Sequence, residues 1–272
     1  MRNWLIGIVI GLWSVATFAG GISIFPTVTE IILPPGTSYS DMIYITNTGD
    51  EAVTVEARVL GFVAPEGVPR FLEPQFDNYP FSGKDILTVE PAVQTIEPGA
   101  TAVFTYELHM PDDLNPYGGR YVAAVFKARP IVSEEAQVVV ATQVASIFLV
   151  SPGEGASPHL QMGDMRVYQF KANPRKVIIE AVVTNTGNLH ISSDQIRGYI
   201  YITDADGYIV DEFPASTHTL LPGNSYMHQE VWYAPEDLPS GTYQFHFALV
   251  LFGPVGTSPE YLFMSQEVEL NF

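Results

Sequence analysis

The chain has 272 residues, no cysteine and a formal net charge of −18. That length allows two domains with cores of their own. The acidity argues against phosphate-rich partners such as nucleic acid or anionic lipid, and the missing cysteine excludes both disulfide staples and a lipid-modified cysteine.

The first residues read as an export signal. Met1-Arg2-Asn3 carries one positive charge, Trp4 to Phe18 is almost wholly apolar, and Val15-Ala16-Thr17-Phe18-Ala19 sets small residues at −3 and −1 for cleavage after Ala19. The apolar run is short for a membrane span, so residues 1–19 are read as a cleaved signal peptide. No Asn-x-Ser/Thr sequon occurs. Together with the lack of cysteine, this fits a bacterial periplasmic or cell-surface protein.

From residue 20 onward there is little helical periodicity. Short runs rich in Val, Ile, Thr, Tyr and Phe alternate with turn residues, which predicts an all-β fold. An ordered repeat then divides the chain. Thr46-Asn47-Thr48-Gly49, Ile96-Glu97-Pro98-Gly99 and Pro111-Asp112-Asp113-Leu114-Asn115-Pro116 running into Gly119-Arg120-Tyr121 form the first set of landmarks. Thr184-Asn185-Thr186-Gly187, Leu221-Pro222-Gly223 and Pro235-Glu236-Asp237-Leu238-Pro239 running into Gly241-Thr242-Tyr243 form the second. Between the copies, Ser151-Pro152-Gly153-Glu154-Gly155-Ala156-Ser157-Pro158 reads as a linker. The expected organisation is two tandem immunoglobulin-like β-sandwiches, residues 20–150 and 159–272, joined by residues 151–158.

Each landmark suggests a local role. Asn and Gly in Thr-Asn-Thr-Gly supply tolerance for positive φ after an apolar strand. Pro-Gly suits the central positions of a type II turn. Tyr121 and Tyr243, following Gly-x, are expected to bond their hydroxyls back to upstream backbone as a tyrosine corner. Ile200 to Val210 around Asp204-Ala205-Asp206-Gly207 predicts a hairpin, which explains those acids better than a calcium loop does; position twelve of such a loop would be Ala215. The last strand, Glu267 to Phe272, alternates so that Val268, Leu270 and Phe272 share one face.

Several segments resemble known families. Ile22-Ser23-Ile24-Phe25-Pro26 leading to Leu33-Pro34-Pro35-Gly36 is similar to the start of the PapD-like pilus-assembly chaperones. Asp85 to Pro91 and Tyr121 to Phe126, with the turn landmarks, resemble both that domain and the N-terminal domain of the WxL-interacting surface proteins. The resemblance implies a two-sandwich architecture and a protein-binding role. It does not carry over anchoring residues: the first strand, Ile24 to Glu30, has no arginine, and Arg120, Lys127 and Arg129 do not match the chaperone motif.

No catalytic motif is found: there is no Gly-x-Ser-x-Gly elbow, His-Glu-x-x-His or phosphate loop. The six histidines never fall at metal-ligand spacing, and nothing implies a cofactor. The segment Gln137 to Val150 is apolar on both faces, so it is either central in a sheet or offers surface to something else. In the second case the last strand of the first domain is an edge that pairs with a partner strand. Val138, Val140, Thr142 and Val144 are then the candidate partner-binding residues, with the three valines filling pockets on the partner. The resulting expectation is an exported, non-catalytic module that binds another envelope protein. A structural, adhesive or polysaccharide-binding surface module is the second reading.

Overall fold

The computed structural model describes residues 21–131, 141–253 and 258–272. The signal segment and two of the candidate residues, Val138 and Val140, lie outside the described residues. The chain divides into two compact units, Met1–Val63 with Arg70–Ala156 and Ala64–Pro69 with Ser157–Phe272. Both are all-β sandwiches of the immunoglobulin-like kind.

The first sandwich contains β1 (Ile22–Phe25), β2 (Val28–Ile32), β3 (Ser38–Asn47), β4 (Val53–Val63), β5 (Arg70–Leu72), β6 (Leu87–Glu90), β7 (Val93–Ile96), β8 (Thr101–His109), β9 (Arg120–Pro130) and β10 (Thr142–Ser151). One sheet runs β1-β3-β8-β6; the other runs β2-β10-β9-β4-β5, with β7 also pairing β4. Alternation drives the packing. In β8, Ala102, Phe104, Tyr106 and Leu108 point inward while their neighbours face solvent. Phe104 meets Phe126 of β9 edge-on at 4.9 Å, and Tyr106 meets Phe148 of β10 at 4.7 Å, so aromatic pairs join the two sheets.

The second sandwich contains β11 (Leu160–Phe170), β12 (Asn173–Asn185), β13 (Ile196–Thr203), β14 (Ile209–Ala215), β15 (Ser225–Tyr233), β16 (Gly241–Leu251) and β17 (Glu260–Leu270). Its sheets run β11-β12-β15 and β14-β13-β16-β17. Trp232 crosses the core to Phe245 at 5.7 Å and spends its indole N–H on Asp211 at 2.8 Å. The expected hairpin is present between β13 and β14. Asp204 Oδ1 accepts from the backbone N–H groups of Asp206 and Tyr208, so this carboxylate builds the turn. In the last strand Leu270 is buried, and Val268 and Phe272 pack partly on the same core.

The Thr-Asn-Thr-Gly landmarks work differently from the expectation. Gly49 and Gly187 are absent from the residues with positive φ, whereas Gly99 and Gly223 of the two Pro-Gly turns both have φ of 72°. The asparagine is instead a buried staple. Asn47, with no exposed surface, donates through Nδ2 to the carbonyls of Glu51 (2.7 Å) and Ile96 (3.0 Å) and accepts from Gly49 N–H (3.0 Å). Asn185 does the same with Leu189 (2.7 Å), Leu220 (3.0 Å) and Gly187 (2.9 Å). Its own carbonyl takes the Gly223 N–H, as that of Asn47 takes Gly99. Beside each staple a hydroxyl pair spans the strands, Thr46 with Thr101 and Thr184 with Ser225. One side chain thus ties its own turn to the Pro-Gly turn in both copies.

The two ends of the segment expected to be a linker are each held by neighbouring backbone. Ser151 closes β10 and accepts from Leu33 N–H. Ser157 to His159 instead packs on the Gly187 turn, where a Cβ would come within 2.4 Å of the Ser157 carbonyl oxygen. Only the backbone of a glycine admits that approach.

Replacing Asn47 or Asn185 with alanine removes three side-chain hydrogen bonds at once, although the Leu220 carbonyl keeps the Ile191 N–H and the Gly49 N–H keeps the Gly21 carbonyl. Each substitution should cost about 3 kcal/mol by denaturant unfolding, with Asn47→Ala acting on the first sandwich and Asn185→Ala on the second.

Candidate partner-binding strand

The geometry of β10 follows from its two neighbours. Along its whole length, from Thr142 opposite Ala128 to Val150 opposite Arg120, it pairs antiparallel with β9. On its other side it pairs in parallel with β2, but only from Ile147 opposite Val28 to Ser151 opposite Ile32. The cause lies at Pro26. Proline has no N–H to give a ladder, and the chain changes sheets there: β1 pairs with β3, and β2 begins two residues later beside β10. The first bond across the junction is Ile147 N–H to the Thr27 carbonyl, at 2.8 Å. β10 is therefore an interior strand from Ile147 onward and, among the described residues, has no strand paired on that side of Gln143 and Ala145.

Backbone alternation identifies the groups this edge offers. Ile147 N–H and the Ser151 carbonyl both point to the β2 side. In a regular strand every second residue repeats that direction, and no register shift interrupts β10. The N–H and C=O of Gln143 and Ala145 consequently point outward. Among the described residues no strand pairs with them on that side.

Side chains follow the opposite parity. Val144 is 8% exposed and packs in the core of its own sandwich with Phe148 and Val150. The expectation that it fills a partner's pocket is therefore corrected, because the pleat turns it inward. Thr142 shares that parity and is half-buried. Gln143 is exposed and Ala145 half-buried, and these two flank the open edge on the outer face.

The start of β9, against which β10 is laid, is held by a residue that sequence reasoning assigned to no role there. The inward positions of β9 are Val122, Ala124, Phe126 and Ala128, whereas those of β16 include Tyr243, Phe245 and Phe247. Tyr121 is thus out of phase with Tyr243, and a shift of one residue changes face. Tyr243 makes the expected corner, its hydroxyl donating to the Pro239 carbonyl at 2.7 Å. In the first sandwich Arg120 takes the equivalent position. Only 6% exposed, it donates to the carbonyls of Pro116 (2.9 Å), Gly118 (3.2 Å) and Gly119 (2.9 Å). A proline carbonyl four residues upstream receives the bond in both copies. That spacing, Pro116 to Arg120 and Pro239 to Tyr243, was present in the sequence. Burial lowers the Arg120 pKa from its ordinary value and raises that of nearby Tyr79. Tyr121 instead faces the other side of the sheet, edge-on to Phe62 at 6.4 Å and beside Tyr79 at 6.3 Å.

No protein-family model matches the chain, and no curated protein does. Solved structures similar to it include fimbrial chaperones. The class 5 fimbriae chaperone CfaA is 12% identical, with 90% of this chain and 98% of that chain covered at a TM-score of 0.47. The chaperone YadV is 13% identical, with 92% and 100% covered and a TM-score of 0.44. A structure of the Salmonella enterica SafA pilin in complex with the SafB chaperone is 11% identical, with 92% and 99% covered and a TM-score of 0.41.

Removing the corner groups should separate their weights. Arg120→Ala strands three carbonyls and should cost about 3 kcal/mol, while Tyr243→Phe strands one and should cost about 1 kcal/mol in urea unfolding.

Proposed function

We propose that the protein is an exported, non-catalytic module of the bacterial envelope that binds another envelope protein by accepting one of its strands beside β10. The observation that carries this reading is the half-covered edge: β2 reaches β10 only from Ile147, and the peptide groups of Gln143 and Ala145 face outward. Unpaired N–H and C=O groups in a row are a template for strand addition. Ladder bonds would supply affinity, and the partner's alternate side chains would set specificity. On this reading residues 1–19 direct export, which places the mature chain in the periplasm or at the cell surface.

A second reading rests on the other sandwich. Tyr199 of β13 and Tyr261 and Phe263 of β17 are exposed on one sheet, with Tyr199 and Phe263 in register across Ala248. Exposed aromatic rings with polar neighbours suit a polysaccharide or an adhesive contact. Binding to envelope polysaccharide that is lost on replacing Tyr261 and Phe263 with alanine, and kept on altering β10, would favour it.

The first reading is tested by placing a photo-crosslinking side chain at position 143 or 145 in cells, with position 105 of the opposite sheet as control. A discrete envelope protein should be captured from 143 and 145 and not from 105. Ala145→Pro, which removes an outward N–H and leaves the β9 ladder intact, should abolish that capture. Equal capture from all three positions, or capture that survives Ala145→Pro, would refute strand addition.

A further inference from the structure

The charges of the first sandwich are sorted between its sheets. Its basic residues after the signal segment are Arg58, Arg70, Lys84, Arg120, Lys127 and Arg129. Five of these six lie on strands of the sheet that contains β10, which carries only Glu30 and Glu56 as acids. The strands of the opposite sheet carry no basic residue and three acids, Asp41, Glu90 and Glu107. In a chain with a net charge of −18, this is the reverse of what random placement would give on that one sheet.

The register places these cations beside the open edge. Lys127 stands directly opposite Gln143, and Glu56 is its neighbour on the far side. Val125 stands opposite Ala145, with Arg58 beyond it on β4. Arg129 extends the row past Lys127 and is exposed. Arg58 is already paired with Glu73 at 2.8 Å; among the described residues neither Lys127 nor Arg129 makes an ion pair. A strand added beside Gln143 and Ala145 would set its outward side chains within one strand spacing of β10, about 4.8 Å, where a lysine or arginine stem can reach across. Its inward side chains would continue the face that Val144 occupies and would need to be apolar.

We infer that the partner strand is apolar on its inward face and acidic on its outward face, its carboxylates meeting Lys127 and Arg129. The inference rests on the strand-addition reading and adds the chemistry of the partner. Charge complementarity of this kind selects among partners and fixes register. Because the chain as a whole is acidic, an acidic partner gains only where it touches this row, so the match discriminates by position rather than by long-range attraction.

The test uses nine-residue peptides alternating valine with glutamate, serine or lysine, each flanked by proline to prevent self-pairing. They are titrated into the full chain at low salt, with the amide signals of Gln143 and Ala145 as readout. The glutamate peptide should bind about fivefold more tightly than the serine peptide, the gain expected of two or three exposed ion pairs. Lys127→Glu with Arg129→Glu should reverse the preference toward lysine, and Lys127→Gln with Arg129→Gln should remove it, both with unchanged far-ultraviolet circular dichroism. Equal binding of the glutamate and serine peptides, or a preference untouched by the charge changes, would overturn the acidic partner while leaving strand addition standing. If no peptide perturbs Gln143 or Ala145, strand addition itself fails and the inference falls with it.

Discussion

The ladder between β2 and β10 is the constraint on which the functional account turns. Five residues of β2 lie beside the ten of β10, because the first strand is broken at Pro26 and its earlier part is committed to the other sheet. A strand covered over its full length would offer nothing, and one left wholly bare would be an aggregation hazard. Here the covered half is anchored by Phe148 and Val150 in the core, and it holds the uncovered half in register. The outward peptide groups of Gln143 and Ala145 therefore lie on a strand whose own inward side chains are already packed. A partner strand would meet a preformed edge, which limits the ordering cost of binding.

Holding that edge in place falls to polar groups as much as to apolar ones. Asn47 and Asn185 sit without exposed surface and each join one turn to another through their side-chain amides. Arg120 gathers three carbonyls at the foot of β9, and Tyr243 performs the smaller version of that task in the second sandwich. With no cysteine available, buried polar side chains that bridge turns take the place that covalent links hold in many exported domains. Such groups specify one register because any slip leaves them unsatisfied.

Much of this was legible in the residues. The repeat of Thr-Asn-Thr-Gly, Pro-Gly and Pro-acidic-Asp-Leu located two copies of one fold, and alternation in β8 and β17 identified the inward faces. What the asparagine does was not legible, since a turn preference and a buried staple favour the same residue type. The motif Gly-x-Tyr recurs one residue out of phase, and only the pleat of β9 shows that Arg120 takes the inward position that Tyr243 holds in the second sandwich. Val144 was misread for the related reason that a two-faced apolar run does not say which face is spent inside. The sorting of basic residues onto one sheet was likewise invisible, because Arg58 and Lys127 become neighbours only through strand pairing. Long-range register is what a single chain read in order does not supply.

Amide hydrogen exchange in the free protein, resolved residue by residue along β10, tests the central claim most directly. The account predicts fast exchange at Gln143 and Ala145, slow exchange at Val144 and Ser146, whose N–H groups face β9, and slow exchange again at Ile147, where Thr27 takes the bond. Protection of Gln143 and Ala145 equal to that of Ile147 would mean that the edge is already covered, and would contradict it.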